Sequence, residues 1–145
     1  MSQSVQGKLP AWFWVVAGVA VVWNLIGVGA YLAQVTMSED ALGALPEAQR
    51  QLVAATPAWV IGAFAIAVFA GLAGSLALSL RRGLATPILA LSLVAVLAQT
   101  LYVFALSKTL AVMGASGAAM PVVVTVIAVA LLWFSSMAKG KGWLR

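Results

Sequence analysis

Residues able to do acid–base, redox or metal chemistry are few in this 145-residue chain, and they are confined to one place. The carboxylates are Glu39, Asp40 and Glu47, all in one connecting segment, and there is no Cys and no His. Thiolate nucleophiles, disulfides, histidine proton shuttles, haem ligation by histidine and the usual zinc sites are therefore excluded. No side chain in the long apolar stretches can act as a general acid or base at neutral pH. The chain reads as a non-enzyme with no cofactor and no metal.

What remains is neutral polar chemistry, carried by amides and hydroxyls at helical spacing. Asn24, Gly27, Tyr31 and Gln34 follow one another by three, four and three residues, and Ser92, Gln99 and Tyr102 by seven and three. Such steps stay on a common helix face. A polar side chain facing lipid is costly, so both stripes are expected to turn inward and meet as a hydrogen-bonding seam. Two uses compete for that seam. It can be interhelical glue, contributing about 0.6 to 2 kcal/mol per bond, or it can bind a neutral hydroxyl-bearing solute between amides and aromatic rings.

The elements that must position these groups are visible in the charge pattern. Residues 9 to 38, 51 to 80, 83 to 107 and 109 to 138 carry no charge, and Pro10, Pro57, Pro87 and Pro121 stand near the starts of these runs or of their apolar cores. A bilayer core of about 30 Å takes roughly 20 residues at 1.5 Å each, and proline suits a first helical turn, where its missing N–H costs nothing. With 64% hydrophobic and 8% charged residues, the chain is far from the quarter charged that is usual for a soluble domain. The expected fold is an all-α integral membrane protein, a single four-transmembrane-helix up-down-up-down bundle with spans near 11–35, 58–80, 87–107 and 121–138. Thr56 and Thr86, each before a proline, are expected to cap the second and third spans.

The net charge of +5 is dispersed at span ends rather than gathered on one face, which argues against nucleic acid. Lys8, Arg81, Arg82, Lys139, Lys141 and Arg145 fall on one side, while Arg50, Lys108 and all three acids fall on the other. The positive-inside rule then puts both termini in the cytoplasm of a bacterial inner membrane. A cleaved signal peptide ending near Val28-Gly29-Ala30 is disfavoured, because the apolar run is too long and carries Trp12, Phe13, Trp14 and Trp23, which suit a permanent anchor. Trp23 alone lies mid-span and is assigned to packing.

The outer loop, 36–56, is expected to be helical in part. Ser38 can cap a turn holding Glu39 and Asp40, favourably placed at a helix N-terminus. Pro46 and Glu47 can start another that leads into the second span. In that span Gly71, Gly74, Ser75 and Ser79 form a small-residue face, which lets a neighbouring helix approach closely. The expected neighbour is the first span, with Gly18, Gly27 and Gly29; a homo-oligomer is the other use. Pro10-Ala11-Trp12 and Pro57-Ala58-Trp59 open two spans identically, a match that shared anchoring needs explain without an internal repeat.

Several strings resemble a family of small bacterial four-span proteins often labelled "sugar transporter": Trp23-Asn24-Leu25-Ile26-Gly27 with Tyr31, Val35-Thr36-Met37-Ser38, Leu45-Pro46-Glu47, Thr56-Pro57-Ala58-Trp59 and Gly142-Trp143-Leu144-Arg145. The resemblance implies transport of a neutral, sugar-like solute and supplies no catalytic or ligand-binding residues. Proton-coupled multidrug exporters of similar size depend on a membrane-embedded glutamate, which is missing here. Three-span sugar-transporting half-proteins carry a proline-glutamine motif, also missing. Facilitative binding or transport is thus the first expectation. The alternative is a non-enzymatic accessory or assembly protein whose helix faces bind another membrane protein.

Overall fold

The computed structural model describes residues 9–107 and 109–144, the side chain of Ser116 aside. Its regular structure is helical throughout: α1 (Ala11–Val35), α2 (Glu39–Gly43), α3 (Glu47–Ala55), α4 (Ala58–Ser79), α5 (Ala85–Leu101), α6 (Thr109–Met113) and α7 (Ala115–Gly140). A wider π turn, Tyr102–Leu106, continues α5. Four stretches, Ala11–Val35, Ala58–Ser79, Ala85–Leu106 and Gly117–Gly140, are long and apolar enough to cross a membrane. Val15, Val19, Ile26, Val94 and Val126 on these helices are each more than half exposed. Outward apolar faces of this extent suit lipid and not water. The chain has the make-up of a multi-pass membrane protein.

Helix starts follow the prolines only in part. Pro10 and Pro57 directly precede α1 and α4, and Pro87 sits in the first turn of α5. Pro121 does not open the last span. It lies inside α7, which begins at Ala115, so the span expected at 121–138 is longer at both ends. The small uncharged residues before Pro121 continue the helix, and one lost backbone bond is tolerable where neighbouring helices and hydroxyls compensate. The third span likewise starts earlier than 87 and ends in the π turn.

Caps also diverge from expectation at two of three places. Ser38 Oγ accepts from Ala41 N at 3.0 Å, as its spacing predicts. Thr56 instead donates back to Leu52 O at 2.8 Å, and α4 has no side-chain cap. Thr86 falls within α5, and its Oγ1 lies 2.7 Å from Ser135 Oγ on α7. A hydroxyl can choose between the local amide and a neighbouring helix, and here the neighbour wins.

The long helices pack in chain order, α1 on α4, α4 on α5 and α5 on α7. At one end, called here the terminal end, the start of α1 and the residues after α7 meet the α4–α5 link. Phe13, Leu78, Leu89, Phe134, Trp143 and Leu144 form its core, and Arg81 Nε donates to Trp143 O at 2.9 Å. Arg81, Arg82, Lys139 and Lys141 lie at this end; Lys8, Lys108 and Arg145 are outside the described residues. At the opposite, loop end, Trp59 meets Tyr102 edge-on at 5.8 Å, and α3 touches α6.

A glycine makes the terminal core possible. Gly142 has φ +77°, and with Trp143 N bonded to Ala138 O at 2.9 Å it forms a six-to-one turn that folds the tail back. Trp143 thereby reaches Trp12 and Phe13, with ring centroids at 5.4 and 5.9 Å. A Cβ at Gly142 would meet nothing within 4 Å, so the cost of Gly142→Ala is backbone strain alone, about 1–2 kcal/mol. Thermal unfolding in mild detergent should show that loss. Gly18→Ala, at an open mid-helix position, should leave the midpoint unchanged or raise it.

Candidate functional site

The three central helices meet through small residues. A Cβ at Gly27 would stand 3.2 Å from Val68 Cγ1, one at Gly71 would overlap Asn24 Oδ1, and one at Gly74 would lie 2.7 Å from Leu89 Cγ and Cδ2. Gly71 and Ser75 thus receive α1, as expected of that face, while Gly74 receives α5. Gly18 and Gly29 face open space instead and take no part in the contact expected of them.

Asn24, only 8% exposed, is locked at this junction. Its Nδ2 donates to Ala20 O at 2.8 Å and to Ser75 Oγ at 3.0 Å. Since a backbone carbonyl can only accept, the amide has one orientation. Oδ1 then lies against Gly71 and accepts no hydrogen bond from the described residues. Ser92 Oγ, on α5, donates to Ala67 O of α4 at 2.7 Å and keeps its acceptor capacity.

Beside the junction the four long helices line a partly open cavity of about 320 Å³, within the roughly 300–1,000 Å³ of ordinary ligand pockets. Its polar groups are Asn24, Ser92, Gln99 and Thr100; the rest of the wall is apolar, including Trp23, Phe64, Val96, Val103, Met120 and Ile127. No ionisable side chain among the described residues lines it. Gln99, half-buried and two turns or about 10 Å along α5 from Ser92, forms no hydrogen bond with the described residues. Its amide offers both donor and acceptor to the cavity. Thr125 Oγ1 donates to Pro121 O at 2.7 Å and can accept from Thr100 Oγ1 at 3.1 Å, the single Thr100 proton going either there or to Val96 O at 2.8 Å. Hydroxyls thus bridge α5 and α7 beside the proline.

The expected seam is therefore assembled from half of its members. Asn24, Ser92 and Gln99 come together around the cavity. Tyr31 instead packs edge-on against Phe64 and Phe69 of α4, at 5.4 and 5.7 Å. Tyr102 packs on Trp59 with its hydroxyl 3.5 Å from Ala55 O, and Gln34 is exposed near the end of α1. A straight helix drifts by about 20° per seven residues, and Tyr102, still in α-helical geometry three residues beyond Gln99, turns to Trp59 and Ala55 O instead.

Two wall residues carried weaker sequence signals. Trp23 was legible as an indole far from the interfacial belts, and it is cavity wall as well as packing. Thr100 neighbours Gln99 but falls off the stripe by one residue. No family model matches the chain, and neither a curated protein nor a solved structure is similar to it.

The junction makes a graded prediction. Ser75→Ala removes one acceptor from Asn24 and should cost about 0.6 kcal/mol. Gly71→Ala displaces the amide itself and should cost about 1–3 kcal/mol. Unfolding in sodium dodecyl sulfate mixtures would rank the two, and equal losses would mean that Gly71 does not position Asn24.

Proposed function

We propose that this chain is a non-enzymatic, multi-pass protein of the bacterial inner membrane that binds a small neutral solute in the four-helix cavity and lets it cross passively. The observation that carries this reading is Gln99, which lines the cavity and forms no hydrogen bond with the described residues. A residue kept only as glue between helices would be expected to hold a bond, as Asn24 does.

In this reading the bundle is up-down-up-down, with α2 and α3 on the outer surface. The terminal end, with Arg81, Arg82, Lys139 and Lys141, faces the cytoplasm. The resemblance to four-span proteins labelled "sugar transporter" points to the same class of uncharged cargo. The wall chemistry narrows it. Each hydroxyl taken from water and left unmatched costs about 1–3 kcal/mol, and the cavity has few partners to offer. A solute with an apolar body and one or two hydroxyl or amide groups fits this wall better than a heavily hydroxylated sugar.

Purified protein in liposomes should accelerate entry of small neutral solutes, with glycerol and 1-butanol as opposite ends of a polarity series. Gln99→Leu should weaken binding about tenfold, the equivalent of 1.4 kcal/mol, with little change in stability because Gln99 holds no fold contact by hydrogen bond. Unchanged binding and flux in Asn24→Leu combined with Gln99→Leu would remove the proposed path. A stable membrane-protein partner after mild solubilisation, with no flux, would favour the accessory reading instead.

Because no ionisable side chain among the described residues lines the cavity, flux of a neutral solute should be flat between about pH 5 and 8, where any participating histidine or shifted carboxylate would titrate. A proton gradient should leave it unchanged. Stopped-flow light scattering on the same liposomes measures both.

A further inference from the structure

The bundle is not closed evenly. The helices pack in the order α1, α4, α5, α7, so α1 and α7 are the two ends of the row. They meet at the terminal end through aromatic rings, with Trp12 and Phe13 each 5.6 Å from Phe134. Farther along, a second cleft of about 250 Å³ is lined by α1 and α7 alone, and its lining is wholly apolar: Val15, Val16, Val19, Ala20, Ile127 and Leu131, with Trp23. Trp23, Ile127 and Leu131 also line the main cavity. The cleft and the cavity therefore share a wall at Trp23, midway along α1.

We propose that this cleft is a lateral portal, through which a neutral single-chain amphiphile enters the cavity from the bilayer, and that Trp23 is its gatepost. The proposal rests on the cavity being a binding site and names the class of ligand and its route. Three observations select the occupant. The surroundings of a long apolar helix are lipid, so an open apolar slot at mid-helix depth is filled by chains and not by water, which needs polar partners to stay. The cavity bears no charge, which excludes fatty acids and ordinary phospholipid headgroups as the part held inside. Its unengaged polar atoms are Asn24 Oδ1, an acceptor, and the Gln99 amide, which both donates and accepts. A hydroxyl, donor and acceptor at once, matches the Gln99 amide, while Asn24 Oδ1, at the level of Ser92 and about 10 Å from Gln99 along the bundle, is left for a second one. A fatty alcohol or a monoacylglycerol has that polarity, with the chain trailing through the slot past Trp23.

The test uses full-length protein carrying 5-fluorotryptophan in nanodiscs, read by fluorine NMR, with Trp23 assigned by the signal lost in Trp23→Phe. Trp133, 65% exposed on α7, reports simple partitioning into lipid. Two probes are titrated, 1-dodecanol, which reaches the cavity chain-first or head-first from the bilayer, and 1-butanol, which is short enough to enter by any route. Dodecanol should shift Trp23 saturably and Trp133 only in proportion to its concentration in lipid. Gln99→Leu should weaken the saturable step about tenfold. Val19→Trp, which adds bulk in the cleft at an exposed position, should slow or abolish the dodecanol step while leaving that of butanol.

Saturation by butanol without saturation by dodecanol would overturn the portal and leave the cavity reading standing. Saturation by dodecanol at equal rate and affinity in Val19→Trp would also overturn it. Saturation by neither probe in the unmodified protein would overturn both readings. Should Val19→Trp fail to fold, Ile127→Phe blocks the same cleft from α7 and takes its place.

Discussion

The rest of the structure depends on how closely α1, α4 and α5 approach at Gly71 and Gly74. Within a bilayer there is no hydrophobic gain from bringing two apolar helices together, so packing contact and internal hydrogen bonds must hold them. Glycine supplies the first by removing the side chain from the line of approach, and Asn24 with Ser75 and Ser92 supplies the second. The two requirements are coupled. Any atom added at Gly71 would occupy the position of Asn24 Oδ1, so the polar lock exists only because the backbone is bare there.

That tight trio leaves α7 differently attached. It packs on α5 and meets α1 at the terminal end, where the tail turned by Gly142 closes the core. Where the trio is tightest, the fourth helix cannot follow it inward, and the volume it fails to fill becomes the cavity. Pro121 and the π turn after Leu101 lie on the two helices that flank this space. Both are places where a backbone bond is lost or shifted, and Thr100 and Thr125 supply hydroxyls beside them. At the π turn itself Ser107 Oγ donates back to Val103 O at 3.1 Å.

Much of this was legible from residue types. The four apolar runs predict the four long helices, Ser38 predicts its cap, and the glycine-serine face of α4 predicts the approach of α1. The caps at Thr56 and Thr86 and the start of the last helix depart from expectation for different reasons. Thr56 donates back to Leu52 O four residues earlier, Thr86 found Ser135 across the bundle, and Pro121 is carried inside a helix that starts at Ala115. The candidate site divides the same way. Asn24, Ser92 and Gln99 were found by spacing, and Tyr31, Gln34 and Tyr102 share that spacing without reaching the cavity.

By itself the sequence determined that the chain is helical and lipid-facing, that its interior is uncharged, and that acid–base, thiol and histidine chemistry have no place in its spans. Those properties follow from composition and from runs of one residue class, and no folding is needed to read them. Tertiary structure alone decided which polar groups share a space and where the bundle stays open. A stripe fixes angles around one helix axis, but rotation, drift and the neighbouring helices determine what each angle faces. Packing order did the rest, because only the placement of α1 and α7 at opposite ends of the row leaves a slot between them at Trp23.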